Sequence, residues 1–228
     1  MVELIRGLDP QRISANLLRI EAELQQARAR APRAQGGEPA PRAEILAASK
    51  YIAAADMPLL AQAGVKLVGE NRAQDLHEKA GLHGELFQWD FIGQLQSRKV
   101  RQIVPHVRLI HSVASESALR EIERNLPSAR PGLAILVQVN IAAEPGKAGI
   151  APEQLDAFIA RAAVPVVGLM TMPPLAEEAE QSRPWFAALR RLAHEHGLHQ
   201  LSMGTSQDYL VAAQEGATIV RIGTSLYR

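Results

Sequence analysis

The sequence predicts a single α/β domain, a (β/α)8 TIM barrel with an extra helix in front of it. Three observations carry that expectation. From Glu44 onward, short apolar runs alternate with helical stretches rich in Ala, Leu, Glu and Arg, the pattern of βαβ units around a parallel sheet. The runs are near-continuously apolar, as strands covered on both faces are. They number eight, at 45–49, 65–69, 89–93, 109–113, 134–140, 166–170, 200–203 and 218–222. That count closes a barrel, whereas an open doubly wound sheet usually has about five to seven strands.

The elements follow in order. Asp9-Pro10 reads as an N-cap with proline at the first helical position. Ile13, Leu17, Ile20 and Leu24 then repeat at spacings of four, three and four, one apolar helix face. Proline and glycine at 31–43 make a loop. The barrel occupies 44–228, with helices expected at 54–63, 115–125, 153–163, 177–196 and 207–215. A chain of 228 residues fits one such domain, so 1–228 is read as a single unit.

Composition narrows the function classes. Lys and Arg total 25 against 24 Asp and Glu, a net charge of +1 with no basic stripe, which argues against nucleic acid as a partner. The absence of cysteine excludes disulfides and thiolate metal sites and fits a reducing cytosol. The first thirty residues are charged and amphipathic, without a signal-peptide core, and no apolar run approaches the ~18 residues of a membrane span. A cytoplasmic monomer is expected. His194, His196 and His199 do not share a helix face and read as a solvated terminus, so no metal is expected. Trp185, Phe186 and Leu189 read as packing. There is no Walker loop and no GxGxxG.

Barrel active sites lie at the carboxyl ends of the strands, and phosphate often binds after strands seven and eight. Here those ends carry Ser49-Lys50, Gly69-Glu70-Asn71, the run from Asp90 to Lys99, Asn140, "SMGTSQD" and "RIGTS". Gly204 and Gly223 would let backbone N–H groups approach an anion, with Thr205, Ser206, Thr224 and Ser225 supplying hydroxyls. Ser206 would start the next helix, where the dipole favours negative charge. Alternatively Thr205 caps that helix, with Asp208 three residues on. Arg221 could form a salt bridge at the mouth, and Lys50 could simply be solvated. A lysine facing a phosphate site across one mouth, however, suggests a Schiff base to a phosphorylated aldehyde, and pyridoxal 5′-phosphate is the cofactor of that description.

The segments "LAASK", "GEN", "FIGQLQSRK", "VNIAAEPGKAGI", "GLMTM", "SMGTSQD" and "VRIGTSLY" occur in the order seen in the pyridoxal phosphate homeostasis proteins. The chain resembles that family, single-domain relatives of the N-terminal barrel of bacterial alanine racemase. The resemblance implies that Lys50 holds the cofactor as a Schiff base. It implies that Ser206, Gly223 and Thr224 clamp the phosphate, that Arg221 faces the pyridine nitrogen and that Asn71 lines the same mouth. Asp90 departs from it, since the family commonly has histidine there.

Arginine is a donor only and stays protonated, so at the pyridine nitrogen it would weaken the cofactor as an electron sink. Racemisation needs acid–base groups on both faces. In alanine racemase the second comes from an additional C-terminal domain and the partner subunit, which the resemblance does not supply. No catalytic residue is therefore assigned. The reading is a non-catalytic cofactor binder serving vitamin B6 and amino-acid homeostasis, with PLP-dependent apoenzymes as possible recipients. A weak amino-acid racemase and a Schiff-base aldolase acting without a cofactor are the alternatives.

Overall fold

Asp9 starts the first helix as its composition predicts: its carboxylate accepts from the N–H groups of Gln11 and Arg12 at 2.9 and 3.4 Å. The computed structural model describes residues 4–31 and 42–228, so most of the loop expected at 31–43 lies outside the described residues. Helix α1 (Pro10–Arg28) buries Ile13, Ile20, Leu24 and Ala27. The strands are β1 (Glu44–Ala48), β2 (Leu67–Glu70), β3 (Gln88–Phe91), β4 (Leu109–Val113), β5 (Ala134–Gln138), β6 (Val166–Met170), β7 (Gln200–Thr205) and β8 (Ile219–Ile222). They follow the expected positions within two residues. Between them run α2 (Met57–Gln62), α3 (Ala73–His83), α4 (Val100–Ile103), α5 (Glu116–Arg124), α6 (Leu155–Ile159), α7 (Arg183–Glu195) and α8 (Tyr209–Gln214), and α9 (Thr224–Tyr227) follows β8.

All eight strands are parallel and close in sequence order, β1 pairing with β8 through Glu44↔Ile219 and Leu46↔Arg221. Helix α1 packs on α8 and α9, where Asn16 Nδ2 donates to the Leu226 carbonyl at 3.1 Å. The large apolar cluster fills the space between strands and helices, with Trp89, Phe91 and Phe186 among its fully buried members. A second, small cluster inside the barrel comprises Leu46, Leu67, Leu109, Leu136, Met170 and Ile219. Because side chains alternate along a strand, the residues two positions on from Leu109, Leu136 and Ile219 also point inward. These are His111, Gln138 and Arg221, so a polar layer sits on the apolar one.

Some helices differ from the expectation. Helix α3 was not anticipated, because Lys79 interrupts its apolar stripe of Ala73, Leu76 and Ala80. Helix α7 starts at Arg183 rather than 177, with Pro184 in its first turn fixing the start. The helix expected at 153–163 is only Leu155–Ile159.

Candidate functional site

Strand β1 ends in a single 3-10 turn, Ser49–Tyr51, that carries Lys50 out of the barrel wall. The backbone around the lysine is held from three sides. Tyr227 Oη donates to the Ala48 carbonyl at 3.2 Å, and Lys79 Nζ donates to the Ser49 carbonyl at 2.9 Å. Ser49 Oγ donates to Glu70 Oε1 at 2.9 Å, and the Asn71 N–H reaches Glu70 Oε2 at 3.1 Å. Lys79 and Glu70 form a buried ion pair. Burial, with the Glu70 charge nearby, pushes the Tyr227 phenol well above its ordinary range, so it remains a donor. The Lys50 amine itself has no hydrogen bond or ion pair among the described residues and lies 4.6 Å from the centre of the Tyr51 ring. It is anchored through its backbone and free at its tip.

Across the mouth, the loops after β7 and β8 meet. Ser206 Oγ accepts from the N–H groups of Gly223 and Ser225 at 3.1 and 3.5 Å, which leaves its own proton free to donate. Ser206 is not the first residue of α8, as expected from sequence; that helix begins at Tyr209. Asp208 explains the difference, since its Oδ1 accepts from Thr205 N at 2.7 Å and Thr205 Oγ1 at 3.1 Å and holds the intervening turn. Gly204 serves packing: it has φ +89°, and an added Cβ would lie 2.5 Å from Ala212 Cβ.

Arg221 forms no ion pair among the described residues, so the salt bridge considered for it is not made. Its Nη1 donates to Ser202 O and Oγ at 2.8 and 2.6 Å, and its Nη2 to Thr171 O at 3.0 Å and Met172 Sδ at 2.9 Å. Of its five donors only Nε–H is left without a partner among the described residues. Burial pushes the guanidinium down to about 10, still protonated at neutral pH.

Lys50, Asn71, Ser206, Arg221, Gly223 and Thr224 all line one cavity of about 840 Å3 at the carboxyl-terminal mouth. That volume suits a small cofactor. Asn71 Oδ1 is itself buried, without a hydrogen-bond partner among the described residues. Gly93, also on the wall, admits no side chain, because a Cβ would lie 1.9 Å from the Asn71 carbonyl oxygen. The site thus offers a free amine, hydroxyls at Ser206 and Thr224 suited to an anion, and a guanidinium with one spare donor.

Sequence reasoning missed Ser112 and Gln138, which line the cavity from β4 and β5. Ser112 Oγ donates to the Gly93 carbonyl, and Gln138 Nε2 donates to Ala148 O at 3.1 Å. Their position at strand ends was the available signal. Asp90 lies inside the barrel and does not line the cavity: its carboxylate is fully buried against His111 and Arg108. Among the described residues no group of three or more His, Cys, Asp or Glu could hold a metal, and no helix is long and apolar enough to cross a membrane.

Comparison with known proteins gives a consistent result. Residues 9–228 match the model of the alanine racemase N-terminal domain. A pyridoxal phosphate homeostasis protein of Aquifex aeolicus is 38% identical over 196 residues, covering 81% of this chain and 86% of that protein. One of Pseudomonas aeruginosa is 38% identical over 223 residues, covering 94% of each. The solved structure of PipY from Synechococcus elongatus with PLP bound superposes with a TM-score of 0.78 at 29% identity, covering 95% of this chain and all of that one (100%).

Proposed function

The chain belongs to the alanine racemase N-terminal domain family, where it groups with the pyridoxal phosphate homeostasis proteins, and on that premise we propose that its mouth cavity holds pyridoxal 5′-phosphate. The chemistry of the lining residues fits that molecule. Lys50 supplies the amine for covalent attachment to the aldehyde, and it has no hydrogen bond or ion pair among the described residues. Ser206 and Thr224 supply hydroxyl donors, and Gly223 brings the backbone close, at the position where barrels bind phosphate. Arg221 Nε–H is the donor left for the pyridine nitrogen, and Asn71 lines the same mouth. The single observation that carries the reading is the convergence of all six residues on one cavity.

The protein's role on this reading is to hold the cofactor in the service of vitamin B6 and amino-acid balance, without robust turnover of its own. When bound, pyridoxal phosphate supplies an electron sink for bonds at the α-carbon of an amino acid. Arg221 works against that use, because a permanent donor keeps the ring nitrogen unprotonated. Lys50, Tyr51 and Arg221 are the titratable side chains lining the cavity, with no carboxylate or histidine among the described lining residues to act as a second acid–base group. Release of the cofactor to PLP-dependent apoenzymes, from a cytoplasmic monomer, completes the proposal.

Titrating the protein with pyridoxal phosphate tests it. A visible absorbance band should develop in the wild type and be absent in Lys50→Ala, while a panel of amino acids incubated with the loaded protein keeps its optical rotation. Retention of the band in Lys50→Ala would refute the attachment. Steady racemisation dependent on Lys50 would favour an enzyme instead.

A further inference from the structure

A barrel interior is ordinarily filled with branched apolar side chains. Here Asp90, His111 and Ser202 are fully buried inside it, and none of the three lines the mouth cavity. Burying such groups is costly unless each is paired, so their arrangement asks for a reason.

We propose that Asp90, His111 and Ser202 form a positioning chain that fixes the orientation of the Arg221 guanidinium toward the cavity, an inference that rests on the pyridoxal phosphate site proposed above. The hydrogen bonds have one consistent direction. Arg221 Nη1 donates to Ser202 Oγ at 2.6 Å, so the Ser202 hydroxyl in turn donates a hydrogen bond to His111 Nδ1 at 2.8 Å. The imidazole is thereby assigned as the neutral tautomer with its proton on Nε2, which donates to Asp90 Oδ2 at 3.1 Å. The Asp90 carboxylate also accepts from Arg108 Nε at 3.0 Å and Nη2 at 3.3 Å. Arg108 closes the far end on Glu44 Oε2 at 2.7 Å, at the amino-terminal rim of β1. Burial holds His111 below its usual value despite Asp90, in keeping with the neutral form.

The chain therefore runs from the floor of the barrel to the one arginine that lines the mouth cavity among the described residues. Apart from Arg221 Nε–H, every donor along it that bears on the next member meets an acceptor, which is the condition under which a buried network rigidifies its members. The guanidinium is pinned on one edge by Ser202 and on the other by Thr171 O, and Nε–H remains for the ligand. Removing the Ser202 hydroxyl leaves Nη1 with a single acceptor and breaks the link to His111. Replacing Asp90 by Asn keeps its shape but sets a carboxamide N–H against a donor of either His111 or Arg108.

The test uses full-length wild type, Ser202→Ala and Asp90→Asn, with pyridoxal phosphate as the probe. Three quantities are read: Kd for the cofactor, the absorbance maximum of the bound form, and Tm. A guanidinium no longer held with Nε–H toward the ring nitrogen loses its hydrogen bond to the ligand, which predicts roughly tenfold weaker binding in Ser202→Ala. Both variants should also show a displaced absorbance maximum, since the contact at the ring nitrogen changes. A merely structural network lowers Tm while leaving Kd and the maximum at wild-type values, and that result overturns the inference. A shift in Ser202→Ala with none in Asp90→Asn overturns the part of the chain beyond Ser202. Should Asp90→Asn fail to fold, Ser202→Ala, which removes one oxygen from a folded core, decides. Absence of cofactor binding in the wild type itself contradicts the proposed function, a separate failure from an unchanged Ser202→Ala.

Discussion

Ser206 is the residue on which the two phosphate loops depend. Its Oγ accepts from Gly223 N and Ser225 N and keeps one proton for a ligand, so one atom ties the β7 loop to the β8 loop. Substitution by alanine should weaken pyridoxal phosphate binding by about 1.5–3 kcal/mol, the contribution of a hydrogen bond to a charged group. Pyridoxal, which lacks the phosphate, should bind the variant and the wild type alike. Comparing the two ligands by absorbance titration checks this, and an equal loss for both would move Ser206 out of the phosphate site. At this scale the sequence was informative because glycines, hydroxyls and a lysine at strand ends are legible as types. It left open whether Thr205 caps the next helix, since that depends on where Asp208 points.

Strands β1 and β2 are joined beneath Lys50 by the Glu70–Lys79 pair, with Ser49 bonded to both residues. Both charges are buried, so removing one leaves the other uncompensated, at a cost of about 3–5 kcal/mol. Lys79→Met should therefore lower stability by roughly that amount, read as a shift in the denaturant midpoint at constant m-value. Adding Glu70→Gln to the same chain should recover much of the loss, because the orphaned charge is gone. A double variant no more stable than the single would show that the pair is not the source of the effect. The strand Glu70 ends was legible; the helix bringing Lys79 was not. A lysine at a position that continues an apolar stripe reads as a break in periodicity until its buried partner is known.

The whole molecule combines a legible architecture with an interior that had to be seen. Eight apolar runs separated by helices specify a closed parallel barrel, and β1 pairs with β8 as closure demands. The runs do not reveal that the interior changes from Leu109 and Ile219 to His111 and Arg221 two residues further along. Strand alternation shows which residues face inward but not that Asp90, from β3, bonds His111, from β4. Two histidines, His111 in that polar layer and His106 outside it, have a consequence for acid stability. His111 and His106 are both lowered from 6.5 in the folded chain, chiefly by burial. The unfolded chain then binds protons that the folded one does not, so stability is fully present above about pH 6.5 and falls as pH drops below it. Each histidine contributes a slope of at most about 1.4 kcal/mol per pH unit. Tm measured from pH 8 to pH 5 should stay level above pH 7 and decline below 6.5. A Tm that rises on acidification would contradict the buried neutral state of His111.

Covalent attachment at Lys50 is the central claim, and borohydride tests it most directly. The loaded protein is reduced, digested and mapped by mass spectrometry. The account predicts a single reduced pyridoxyl phosphate adduct on the peptide containing Lys50. An adduct on another lysine, such as Lys99 or Lys147, with Lys50 unmodified, would contradict it.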